Sequence, residues 1–119
     1  MRGAVALMLT LGAAVTPLPT DGAEAVDVAT RIASRCLLSV DGRTYIDGPC
    51  YFSRIGHEGD FTMTEIAAQP YYAEVMIGPG GAGGSWNAER GVVQSSGLGE
   101  VRRRGACWRN ERARICAWR

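Results

Sequence analysis

Lysine is absent from this sequence, histidine occurs once and phenylalanine twice. Every one of the 13 basic side chains is therefore an arginine, a planar cation that keeps its charge at any physiological pH. The four cysteines contain no C-x-x-C pair, so the spacing of a thiol redox centre is missing. One histidine and no close cysteine pair do not make a zinc site. No G-x-S-x-G stretch marks a serine nucleophile, although a triad built on His57 stays open. The glycine run Gly78–Gly84 lacks the Lys-Ser/Thr that follows a phosphate loop. No sustained helical period is present, and no apolar run reaches the roughly 20 residues of a membrane-spanning helix. These absences lead to the expectation of no metal, no cofactor and no enzymatic activity.

The first residues, MRGAVALMLTLGAAVTPLPTDGAEA, combine a basic Arg2, an apolar run from Gly3 to Val15, and the breakers Pro17 and Pro19. Ala23-Glu24-Ala25 then supplies a small-x-small cleavage pattern. Together these are the parts of a secretory signal peptide. No cysteine follows the run closely, which argues against a lipid-modified terminus. Cleavage after Ala25 is expected, giving a periplasmic or secreted chain with no transmembrane anchor. Residues 1–25 are thus read as signal peptide, 26–35 as a lead-in segment and 36–119 as one β domain.

A domain this small is only marginally stable without help. Cys36, Cys50, Cys107 and Cys116 offer it, because an even cysteine count in a short exported chain reads as disulfides. Four cysteines allow three pairings. Each bridge is worth roughly 2–4 kcal/mol, a large share of a small domain's stability.

Val26–Arg35 reads as one or two helical turns or a loose lead-in. In CLLSVDGRTYID, Asp41-Gly42 sits between two β-favouring runs, the pattern of a two-residue hairpin turn. That register sets Leu38 opposite Tyr45, Leu37 opposite Ile46 and Cys36 opposite Asp47. Gly48-Pro49 should then break the strand. A Cys36–Cys50 bridge is reachable by a short doubling-back, without being forced. CYFSRI and FTMTEI read as strands around a GHEGD turn, with Phe61, Met63 and Glu65 on one side. In YYAEVMI, Tyr71, Ala73, Val75 and Ile77 face the core. The run GPGGAGG is expected to be a mobile loop, since glycine loses most freedom on folding. SWNAERG and LGEVRRRG look like short strands or edges. Short strands at close spacing indicate an all-β antiparallel meander, sandwich or small barrel.

The chain ends GACWRNERARICAWR. A hairpin with Glu111-Arg112 at its tip opposes Arg109 to Arg114, Trp108 to Ile115 and Cys107 to Cys116. Alternation then gives one apolar face, Ala106, Trp108, Ile115 and Ala117, and a second face with both cysteines and both arginines. A one-residue slip would separate the cysteines. Glu-Arg is a poor primed-turn pair, so a longer loop around Asn110 is an alternative. Arg109 against Arg114 is destabilising and needs an offset: solvent, a carboxylate such as Glu89, Glu100 or Glu111, or a bound anion. A solvated or ion-paired face is the plainer reading. The sharper one is a surface for acidic partners built from Arg102, Arg103, Arg104, Arg109, Arg112 and Arg114.

His57, beside Glu58 and Asp60, is explained by a polar turn. Trp108 is expected in the core and Trp118 on the cysteine face. Trp86, after the glycine run, is the expected exposed platform. The candidate binding surface is therefore Arg109, Arg112, Arg114, Trp86 and Trp118. The formal net charge is only +1, which with export disfavours nucleic acid.

Three stretches, CLLSVDGRTYIDGPC, SWNAERG and LGEVRRRGACWRNERARICAWR, resemble a group of small exported bacterial proteins sharing a C…G-P-C hairpin and a terminal G-A-C-W…I-C-A-W. The resemblance covers most of Cys36–Arg119. It implies a fold framework and carries no catalytic residues. The expectation is a non-enzymatic envelope domain that binds an envelope protein or anionic polymer. An inhibitor of a cell-wall hydrolase is the alternative, by analogy of fold and compartment. An enzyme built on His57 is the third reading.

Overall fold

Asp41 and Gly42 both take positive φ, 51° and 83°, the two-residue primed turn that matches the twist of paired strands. They join β1 (Ala29–Val40) to β2 (Arg43–Ile55). The computed structural model describes residues 29–56 and 58–119. The signal-peptide reading and His57 lie outside the described residues. Six further strands follow: β3 (Asp60–Glu65), β4 (Tyr72–Gly78), β5 (Gly81–Trp86), β6 (Ser96–Arg104), β7 (Cys107–Arg109) and β8 (Ala113–Trp118). Each pairs antiparallel with the next, and β8 pairs back onto β1. The fold is an eight-stranded up-and-down closed barrel with two disulfides. Closure leaves no open sheet edge.

Four local expectations are corrected. Residues 29–35 are not a lead-in or a helical turn; they belong to β1, where Ala29–Ala33 pair with Cys50–Arg54. Pairing with β2 outweighs the weak local preference of this segment. The hairpin register also slips. Ser39 faces Thr44, but Leu38 faces Ile46 and Leu37 faces Asp47. Tyr45 is the extra residue of a bulge, which lets Tyr45 and Ile46, adjacent in sequence, both join the core. Gly48-Pro49 does not end β2. A second register irregularity absorbs it, between Ala33/Cys50 and Cys36/Gly48. Finally, Gly81–Gly84 is strand, not a mobile loop. Its cost in freedom is offset by ladders to β4 and β6, and Gly84 gives Ile115 its space. A Cβ there would lie 3.1 Å from Ile115 Cδ1, which crosses the barrel to reach it.

Alternation sends Leu38, Val40, Ile46, Met63, Val75 and Ile115 to the interior, all nearly inaccessible. An eight-stranded barrel is just wide enough for its side chains to fill it. One end, at the β1–β2 and β7–β8 turns, is plugged by aromatics. Tyr45 lies 4.6 Å from Trp86 and 5.1 Å from Tyr71, ring to ring. Outward positions carry the charge, including Arg35, Arg102, Arg104, Arg109 and Arg114. This is the inverse of a lipid-facing barrel, whose outer band is apolar. Among the described residues, no helix is long and apolar enough to cross a membrane.

Asn87 is the buried polar residue that organises the plugged end. Its Oδ1 accepts from the Tyr72 amide at 3.0 Å, and its Nδ2 donates to the Pro70 and Val92 carbonyls at 3.0 and 3.1 Å. Arg90 adds a two-pronged pair with Glu65, at 2.7 and 3.1 Å. Truncation of Asn87 removes three part-buried hydrogen bonds. The Tyr72 amide and the Val92 carbonyl lose this partner, whereas the Pro70 carbonyl keeps the Gly91 amide at 3.0 Å. Asn87→Ala is expected to cost about 2–3 kcal/mol, read as a shift in the urea midpoint. An unchanged midpoint would show that the β5–β6 connection is held by something else.

Candidate functional site

The expected C-terminal register is present. Cys107 faces Cys116, Trp108 faces Ile115 and Arg109 faces Arg114. The poor tip is explained by Asn110. Its Oδ1 accepts from the Arg112 and Ala113 amides, each at 2.8 Å, and its Nδ2 donates to the Leu98 and Glu100 carbonyls, each at 2.9 Å. One side chain thus closes the β7–β8 turn and fastens it to β6. Both disulfides form, Cys36–Cys50 and Cys107–Cys116, which fits an oxidising compartment.

The register continues into β6, where Arg102 faces Arg109, Arg103 faces Trp108 and Arg104 faces Cys107. Arg102, Arg109 and Arg114 therefore form one rung across three strands. Val101 and Ile115, their neighbours in sequence, are buried, so all three arginines project outward. Adjacent strands lie about 4.8 Å apart, which sets three fixed positive charges across roughly 10 Å. Arg104 adds a fourth on the next outward position. A shallow depression of about 520 Å³ beside the row is lined by Arg102, Arg103, Arg104, Arg109, Asn110 and Glu111.

Ion pairing does not neutralise this row. Among the described residues the salt bridges are Arg35–Asp47, Arg90–Glu65 and Arg112–Asp41. Glu89, Glu100 and Glu111 bond neither Arg109 nor Arg114, so of the two plainer readings the internal pair is corrected, and the solvated face fits the exposure of all three arginines. Glu89 sits at the plugged end, on the β5–β6 connection, while Glu111 lines the depression beside the row without bonding it.

Arg112 leaves the candidate surface. Its Nε and Nη2 donate to the two Asp41 carboxylate oxygens, each at 3.0 Å, and its carbonyl accepts from the Asp41 amide at 2.7 Å. Trp86 leaves it as well. The platform expected to be exposed is 7% accessible, because β5 turns it inward onto Tyr45 and Tyr71. Trp118 does lie on the cysteine face, half-buried, with the Arg35 guanidinium 5.1 Å from its ring centre. Arg102, expected only as part of the broader arginine surface, lies directly opposite Arg109. Its placement depends on the Gly105-Ala106 turn, whose pairing no local pattern announced.

No family model, curated protein or solved structure matches this chain.

Two expected outcomes follow from the charges. Arg109 has a like charge directly opposite on each side, each unfavourable by roughly 0.2–1 kcal/mol. Arg109→Gln is therefore expected to raise folding stability by about 0.5 kcal/mol at low salt. The gain should vanish near 1 M salt, where the Debye length is about 3 Å. A loss of stability would mean that the rung is compensated. At the Asp41 turn, hydrogen bonding and charge from Arg112 hold the Asp41 carboxyl below its usual range. A depressed carboxylate stabilises the fold above its unfolded pKa, and that contribution is lost as pH falls through the folded value. An NMR titration should find Asp41 below the ordinary value of about 3.9. Arg112→Gln should return it to that value.

Proposed function

We propose that this protein is an exported, non-enzymatic binding domain of the bacterial envelope, and that its rung of arginines engages an anionic polymer. In this reading the N-terminal signal peptide is removed after Ala25 and the mature barrel acts in the periplasm or outside the cell. The observation that carries the proposal is the alignment of Arg102, Arg109 and Arg114 on adjacent strands without a carboxylate partner among the described residues. Such a row raises the energy of the free protein and becomes favourable when anions of similar spacing lie across it. Arginine suits this work, since its planar fork meets carboxylate, sulfate or phosphate oxygens two at a time.

A polymer fits this face better than a folded acidic protein. Protein interfaces centre on desolvated aromatic or aliphatic anchors. Here the aromatic neighbour, Trp118, is half-buried and already covered by Arg35. What the face presents is charge at regular intervals. The anchoring of β7 also supports a binding role. This three-residue strand bears Arg109, and the Cys107–Cys116 bridge ties it to β8.

The test is retention on immobilised dextran sulfate, with neutral dextran as reference. Wild type should bind the sulfated polymer and release it as salt rises. Arg109→Glu/Arg114→Glu should weaken binding by at least about tenfold, or roughly 1.4 kcal/mol. Equal retention of the variant would remove the proposal. Specific capture of an acidic protein from an envelope extract, without polymer binding, would replace it with the protein-partner reading.

A further inference from the structure

The two ends of the barrel differ. The end at the β1–β2 turn is closed by Tyr45, Tyr71 and Trp86. At the opposite end, where β2–β3, β4–β5 and β6–β7 turn, the inward side chains are left half-covered. Phe52, Ile77, Trp108 and Ala117 belong to the inner surface, yet all are only partly buried. They surround a cavity of about 300 Å³ together with Phe61, Ala106 and Gly59. Phe52 and Phe61 stack at 4.9 Å and form one wall. Beyond them Met63 and Val75 are fully buried, so the cavity is a cup and not a channel.

Its rim is cationic. Arg54 and Arg103 line it, with Glu58 as the one carboxylate among its lining residues. The Arg31 guanidinium lies 4.7 Å from the Phe52 ring centre, and that of Arg103 lies 6.0 Å from the Trp108 ring centre. Among the described residues none of Arg31, Arg54 and Arg103 is within salt-bridge distance of a carboxylate. Barrel mouths are common ligand sites, and such sites pair apolar walls with a few polar groups that fix orientation. The volume sits at the lower end of the roughly 300–1,000 Å³ typical of ligand pockets, which limits the occupant to a small molecule.

We propose that this mouth binds a small anionic amphiphile, an aromatic or short-chain carboxylate or sulfonate. Its apolar body lies against Phe52, Phe61, Ile77 and Trp108, and its anionic group meets Arg54 and Arg103. The site is separate from the outer arginine rung and stands whether or not that rung binds a polymer. Arg103 borders both regions, whereas Arg54 lines only the mouth.

Calorimetric titration of the oxidised protein with 2-naphthoate, and with neutral 2-naphthamide, tests the site. Naphthoate should bind one to one and about tenfold more tightly than the amide. Arg54→Gln, an exposed substitution that leaves the core intact, should reduce that preference severalfold. Ala117→Leu should abolish binding of both by filling the cup. If that variant fails to fold, the Arg54 result decides alone. Arg109→Glu/Arg114→Glu should bind naphthoate as wild type does. The proposal falls if naphthoate gives no saturable heat, if Arg54→Gln keeps the full preference, or if only the outer double variant loses binding.

Discussion

The seam between β1 and β8 is the constraint on which the barrel depends. The first and last strands of the chain must meet, and loop-closure entropy opposes that meeting more than any other pairing in the fold. Both disulfides sit on it. Cys36 faces Ala117 and Cys116 faces Leu37, so the two bridges occupy neighbouring rungs of one ladder. Alternation puts them on opposite surfaces. Cys36–Cys50 ties β1 to β2 on the inner face, and Cys107–Cys116 ties β8 to β7 on the outer. The pair from Arg112 to Asp41 completes the seam at the turn end. The seam thus joins two stapled strand pairs, β1–β2 and β7–β8, through the β1–β8 ladder and the Arg112–Asp41 pair, in a domain whose core is too small to be secure by burial alone.

That covalent hold lets the outer surface carry unfavourable charge. β7 has three residues and bears Arg109 between Arg102 and Arg114. A strand so short, with like charges on both sides, has little ladder to keep it in register. The bridge to β8 and the four hydrogen bonds of Asn110 hold it in place. Features that cost stability and are nevertheless held rigidly tend to mark function, and this row is the basis for reading the face as an anion-binding surface.

Inside, residue size decides what each end of the barrel does. Small residues at Ala33, Ala73, Ala82 and Ala113 belong to the interior, and Gly84 leaves room for Ile115. At one end Tyr45, Tyr71 and Trp86 meet across the interior. At the other, Phe52 and Trp108 line a wall and leave the centre open. Strand lengths add to this asymmetry, since β1 and β2 run 12 and 13 residues against six for β3 and β5.

Much of this was legible from local chemistry. Asp41-Gly42 specified a primed turn, alternation put Phe61 and Met63 on one side of β3 and marked Ala73 and Val75 of β4 as core, and the terminal hairpin aligned its own cysteines. Each depends on neighbours in sequence and on a side-chain period of two, which a linear reading can follow. What failed to show was decided across the barrel. Trp86 reads as exposed after a run of glycines, until Tyr45 and Tyr71 approach from β2 and the end of the β3–β4 connection. Gly84 reads as loop, until Ile115 arrives from the opposite wall. Arg102 joins Arg109 and Arg114 only through the β6–β7 register, and the open mouth exists only once eight strands close. Periodicity and turn residues act over a few positions and are written in order along the chain. Closure brings together side chains far apart in that order, so the site it creates has no local signature.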